Sequence, residues 1–291
     1  MSAAVADPTA PLTPSGNLRR RRAFSRSTEH AATGAAIFAV AVLGIVIYSV
    51  LSRGASAISI DFLTKGAPAG VAPAIVGTGV IVALATLIAA PLGVLMAIFV
   101  TEFAGERLAG ACRLTLDLVN GMPSIIIGVV VFIMLVEQRK QSAIAASVAL
   151  AIIMLPLVAR GSMEILLLVP KSLREAADAL GVNRWRSVLT VILPSALGGI
   201  LTSTVLAVAR AAGETAPLIL LCSVFDPRSI SLNPFEAIPN IPVTIFSLSE
   251  EGNPEGFARA WGLALVLILA ILVANIVARA MLARSRRRMT Q

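Results

Sequence analysis

The chain has 291 residues, of which 57% are hydrophobic and only 14% charged, a balance too apolar for a soluble domain and expected of a membrane protein. The formal net charge is +8, but the basic residues flank apolar runs instead of lining one face, so they read as topology signals and not as a nucleic-acid surface. Cys112 and Cys222 lie far apart in apolar context and the single histidine, His30, sits in a polar stretch, which argues against a disulfide framework, a metal site or histidine-based catalysis.

Residues 1–30 are polar and rich in Ala, Pro, Ser and Arg, and are expected to form a disordered cytoplasmic tail that ends in Arg19, Arg20, Arg21, Arg22 and Arg26. The first apolar run, 31–52, is long enough to cross a hydrocarbon core of ~30 Å as a helix. It is too long and too far from the start for a signal peptide, so 31–70 is expected to be an uncleaved first span and an outer loop. Further apolar runs cover 71–101, 118–136, 143–168, 196–225 and 260–278. The third is broken early by Gly121 and Pro123, the fourth is interrupted by Pro156, Arg160 and Glu164, and the fifth carries Arg210 and Glu214. Backbone groups cannot stay unpaired in lipid, so these runs must be helices. The alternation of a barrel strand is absent. The fold class is therefore all-α, a polytopic protein with six transmembrane helices. The acidic stretch 226–256, with Asp226, Glu236, Glu250, Glu251 and Glu255, is expected to be an exposed outer loop, and 283–291 a basic cytoplasmic tail.

Basic residues test the topology. With both termini in the cytoplasm, the inner side receives the N-terminal arginines, Arg107, Arg113, Arg160, Lys171, Arg174, Arg184, Arg186 and the C-terminal arginines. The outer side receives only Arg53, Lys65, Arg139, Lys140, Arg228 and Arg259, so the asymmetry fits six spans. No phosphate-binding loop of the G-x-x-x-x-G-K-[ST] type is present.

The cytoplasmic loop 171–194 is too charged to span. Ser172 and Glu175 have capping-box spacing, which places a helix start near Leu173. Leu173, Ala176, Ala177 and Leu180 share one face, and Gly181 stands where a helix end takes a left-handed residue. Asn183 is placed to cap a second helix with an apolar face of Trp185, Val188, Leu189 and Ile192, and Pro194 marks a bend toward the membrane. Such a hairpin either packs on its own membrane domain or docks a partner.

Glu175-Ala176-Ala177, Gly181 and Val191-x-Leu193-Pro194, at these spacings, resemble the EAA loop of ABC importer permeases, with Val191 where that pattern usually has Ile. The resemblance covers roughly residues 71–282 and implies a MetI-like permease core whose loop docks into an ATPase subunit. Glu175, Ala176, Ala177, Gly181, Leu193 and Pro194 would carry that coupling.

Arg210 and Glu214 lie in the fifth run, and Arg160 and Glu164 repeat the same i, i+4 spacing in the fourth. Measured from Ala196, Arg210 lies about 21 Å along its helix, deep in the bilayer. Such charges either pair structurally or line the path of an anion, for which the guanidinium fork is suited. The string Ala209-Arg210-Ala211-Ala212-Gly213-Glu214-Thr215-Ala216-Pro217-Leu218 resembles the signature of phosphate ABC permeases of the PstA type, and Gly121-Met122-Pro123-Ser124-Ile125 and Ala159-Arg160 resemble further segments of that family. The resemblance implies Arg160 and Arg210 as phosphate-path arginines with Glu214 as their partner, while position adds Glu164 and Ser124. It also implies partners: a homologous PstC-type permease, two PstB-type ATPases carrying ATP and Mg, and a PstS-type phosphate-binding protein. The chain would bind no cofactor itself and would sit among lipids in a bacterial plasma membrane. Permeases for sulfate, molybdate or tungstate are the alternative, then an ATP-independent carrier or channel.

Overall fold

The computed structural model describes residues 18–224 and 229–289. Residues 1–17 of the expected tail, 225–228 of the expected outer loop and the last two residues lie outside them, as do the side chains of 18–20, 22, 278 and 281–289. The chain divides into two units, Met1–Ser49 and Val50–Gln291. The described part of the first is a helix, the start of Leu18–Gly54 (α1). It begins well ahead of the expected span, so residues 18–30 are helical and not disordered. Arginine and alanine are good helix formers, and a formed span extends at little cost.

The second unit holds every other element. Ile60–Thr64 (α2) is capped by Ser59, whose Oγ accepts from the Phe62 amide at 3.1 Å. Ala72–Ile98 (α3) runs into a π-helical turn, Phe99–Phe103. Glu106–Gly121 (α4) and Ser124–Leu135 (α5) meet at 98°. Ala143–Leu167 (α6) and Lys171–Ala179 (α7) follow. Arg184–Ser187 (α8), a second π turn at Val188–Ile192 and Leu193–Ala211 (α9) form one continuous helix. Ala216–Leu221 (α10), Ile241–Glu250 (α11) and Pro254–Met289 (α12) complete the chain. There is no strand among the described residues.

Five helices are long and apolar enough to cross a membrane, and the bent pair α4–α5 makes a sixth. The expected third span at 118–136 is thus corrected: residues 118–121 belong to α4, and the turn sits at Met122. Pro123 disfavours helical backbone at the residue before it, and Met122 is extended (φ −75°, ψ 137°). The expected fifth span at 196–225 is corrected in the same way, because its helix stops at Ala211.

Small residues set the packing. Ala85, Ala89, Gly93 and Ala97 recur every four residues on α3 and are buried, continuing the line of Ile81. They form a ridge against α6 that lets the backbones approach closely. Ser147 Oγ donates to the Ile81 carbonyl at 3.1 Å, and a Cβ on Gly93 would lie 2.9 Å from the Val158 side chain. Both α3 and α6 numbers rise together along this seam, so the helices run parallel, and α4–α5 makes the return crossing between them. Gly161 abuts Ser203 and Gly199 abuts Ile165, so α6 and α9 run antiparallel.

The expected outer loop is partly core. Ile238, Asn240, Ile241 and Val243 are buried. Asn240 Nδ2 donates to the Cys222 carbonyl at 2.8 Å, its Oδ1 accepts from the Val243 amide at 3.1 Å, and Thr78 Oγ1 accepts from the Ile241 amide at 2.8 Å. The acidic residues around this segment concealed its apolar centre.

Candidate functional site

Two breaks in the spanning helices lie side by side. At the first, Gly121-Met122-Pro123, the chain turns and α5 starts at the half-buried Ser124. At the second, α9 ends with the Gly213 and Glu214 amides donating to the Arg210 and Ala211 carbonyls at 3.1 and 3.2 Å. The chain resumes as α10 with Pro217 in its first turn, where its missing N–H is no loss. The two short helices pack through Gly128, where a Cβ would lie 2.9 Å from Pro217 Cα. Gln141 holds the far end of α10, donating to the Leu220 carbonyl at 3.0 Å and accepting from Ser223 Oγ at 3.1 Å.

Arg210 and Glu214 form an ion pair of 3.7 Å across the α9–α10 break. They do not share a helix face as expected, because the helix has already ended. The carboxylate is 16% exposed and the guanidinium 55%, so the cation keeps free donor capacity. Arg160 on α6 pairs with Asp117 on α4 and donates to the Arg113 carbonyl at 3.3 Å. The expected partner, Glu164, is exposed and has no ion pair among the described residues. The α6–α9 register sets Arg210 level with about residue 154, so Arg160 and Arg210 are separated by about 9 Å along the bundle. The arginines therefore sit at two successive depths and not in one cluster.

The hairpin at 171–194 also differs in detail from expectation. Its first helix begins at Lys171 with Pro170 as N-cap and no side-chain cap bond, so the Ser172–Glu175 capping box does not form. The turn of chain at Pro170 starts the helix two residues early and leaves Ser172 inside it. Its other end has the expected geometry. Gly181 has φ +67°, its amide donates to the Asp178 carbonyl at 3.0 Å, and the Val182 amide donates to the Ala177 carbonyl at 3.0 Å, a Schellman ending. Asn183 Oδ1 accepts from the Trp185 amide at 3.0 Å. Glu175 and Ala176 are exposed and Ala177 is buried, while Leu193 and Pro194 are half-buried. Pro194 does not end the helix: a π turn precedes it, and the helix continues from Arg184 to Ala211. Leu180, Trp185 and Leu189 remain exposed apolar side chains.

Two acidic residues in these contacts are not marked by any local sequence signal. Asp117 is the partner of Arg160, and Glu102, a lone acid ending an uncharged run, pairs with Arg174 at 2.9 Å.

Residues 89–291 match the family of binding-protein-dependent transport system inner membrane components. The chain belongs to that family. The permease is 38% identical over 214 residues to the phosphate transport system permease protein PstA 1 of Mycobacterium tuberculosis, covering 72% of this chain and 69% of that one. It is 35% identical over 249 residues to the corresponding PstA of Yersinia pestis, covering 83% and 84%. Among solved structures it resembles a chain of a bacterial alginate ABC transporter at TM-score 0.65 and 17% identity, covering 92% of the permease and 99% of that chain. It also resembles a chain of the inward-facing MetNI methionine ABC transporter at TM-score 0.58 and 20% identity, covering 74% and 94%. These likenesses show the fold as that of a MetI-like ABC importer permease, a multi-pass inner-membrane subunit.

Proposed function

We propose that this permease is the PstA-type subunit of an ATP-driven inorganic phosphate importer. The observation that carries the proposal is the Arg210–Glu214 pair set into the break made by the phosphate-permease signature. Relatives named as phosphate permeases that align with most of the chain support it. Guanidinium forks match a tetrahedral oxyanion, and two arginines at successive depths would screen its charge in a low-dielectric path. Arg160, Arg210 and Glu214 line the path in this reading, with Ser124 beside the first break, while Glu164 has only position in its favour.

The complex would contain a PstC-type permease, two PstB-type ATPases that bind ATP and Mg, and a PstS-type phosphate-binding protein outside. Both termini and the hairpin face the cytoplasm in this reading, which the arginine distribution supports. The hairpin offers Glu175, Ala176, Leu180 and Trp185 to an ATPase, so closure of the ATPase dimer moves α6 and α9, which continue from its two legs. Gly181 fixes its turn, and Leu193 and Pro194 begin the rod into the bilayer.

The test is reconstitution of the four components in proteoliposomes with radiolabelled phosphate. ATP-dependent phosphate accumulation that unlabelled phosphate competes and sulfate, molybdate and tungstate do not is expected. Accumulation of one of those oxyanions in preference would overturn the substrate, and accumulation without ATP would overturn the class.

A further inference from the structure

Side chains tie α3 to the hairpin. The hairpin is covalently continuous with α6 and α9, whereas α3 reaches it at its inner end, through the π turn Phe99–Phe103 that follows it. There Glu102, 6% exposed, accepts from Arg174 Nη2 at 2.9 Å. The same guanidinium donates to the carbonyls of Leu166 and Val169 at 2.8 Å each, at the end of α6. Next to it, Phe103 lies against Trp185, with ring centroids 4.6 Å apart, and under the Arg184 guanidinium at 5.5 Å. Both legs of the hairpin therefore grip consecutive residues of one π turn. The second π turn, Val188–Ile192, buries Val188 and Ile192 in the same apolar cluster as Ile98 and Val100. Such turns carry a looser hydrogen-bond pattern and recur at functional sites. A cavity of about 350 Å³ bounded by Glu102, Arg174, Asp178, Arg184, Ser187 and Ile192 leaves the legs room to rearrange.

We infer that Glu102 and Arg174 form the link through which movement of the hairpin reaches α3, with Phe103 as its apolar partner; the inference rests on the hairpin being the ATPase contact. Glu102 is a positioning residue in this scheme. It touches neither solute nor nucleotide, and it sets whether α3 follows α6 and α9 or stays behind. A span left behind while its neighbours move breaks the α3–α6 ridge without completing the crossing, so nucleotide is spent with no solute moved. The arginine fork matters because its two terminal nitrogens together serve the carboxylate and two carbonyls, a spread that the single nitrogen of a lysine lacks.

The test uses the complete reconstituted complex and reads phosphate transported per ATP hydrolysed, normalised to assembled complex. Glu102→Gln and Arg174→Gln are each expected to lower that ratio about tenfold while binding-protein-stimulated hydrolysis stays within about twofold of the unsubstituted complex. The double variant is expected to be no worse than either single one, and the exchanged pair, Glu102→Arg with Arg174→Glu, to recover part of the ratio. Arg174→Lys keeps the charge, supplies a variant that assembles if the glutamines do not, and is expected to give an intermediate ratio. An unchanged ratio in variants that assemble, with only the amount of complex reduced, would overturn the link and leave the pair a structural one. The unsubstituted complex is the separate control on function: if it moves another oxyanion, the substrate proposal fails and the ratio is read with that oxyanion.

Discussion

Arg160 pairs with Asp117 on a different helix and leaves Glu164, four residues along its own helix, exposed and without an ion pair among the described residues. The pair joins α4 to α6 just before the chain turns at Gly121–Pro123, so it ties a charge of the proposed path to the first break. A carboxylate that already occupies Arg160 competes with an incoming oxyanion.

That competition has a sign. Arg160→Gln is expected to lower phosphate uptake about tenfold or more, the worth of a charge-assisted hydrogen bond. Asp117→Asn is expected to lower the KM for phosphate by releasing the guanidinium, and Glu164→Gln to change uptake less than about twofold. Radiolabelled phosphate uptake in cells lacking any other phosphate system measures all three.

Gly181 holds the hairpin turn with φ +67°, a backbone that costs a residue with a Cβ about 1–2 kcal/mol. Gly181→Val is expected to fray the end of α7 and reduce recovery of the ATPase subunits in a pull-down. Gly181→Asn, which tolerates that backbone better, is expected to retain most of it. Equal recovery in both variants would show that the turn does not shape the docking surface.

The α6–α9 seam is set by Gly161 on Ser203. Gly161→Ala pushes a methyl into that contact, and overpacking of this kind costs about 1–3 kcal/mol. A lower melting temperature in detergent is expected. Gly110→Ala on α4 meets nothing within 4 Å and is expected to leave the melting temperature unchanged or slightly raised.

Asn240 is fully buried and serves both the Cys222 carbonyl and the Val243 amide. Asn240→Ala strands two buried polar groups at about 1–3 kcal/mol each. Asn240→Asp keeps the cap on α11 but loses the donor to Cys222, so its melting temperature is expected to fall between those of the alanine variant and the unsubstituted permease.

Much of the permease was legible in its sequence because its signals are local. Apolar length gave the spans, since one helix must satisfy its own backbone in lipid. Gly181, Asn183 and Pro123 announced their turns through the backbone each one permits. Other features were hidden where the deciding contact is distant in the chain. The capping box at Ser172 and Glu175 has the right spacing, yet Pro170 starts the helix earlier. The i, i+4 pair at Arg160 and Glu164 is equally well spaced, yet Asp117, from another helix, takes the arginine.

The sequence by itself determined an all-helical membrane subunit, its break at Gly121–Pro123, and a charged hairpin between two spans. Only the tertiary structure decided that the fifth run also breaks after Ala211, that the two breaks lie together through Gly128 and Pro217, that the arginines sit at two depths, and that Arg174 reaches Glu102. The physical reason is the same in each case. Helix length, capping and kinks follow from neighbours within a few residues, whereas the partner of a buried charge or of a bare glycine backbone is chosen by which helices pack side by side.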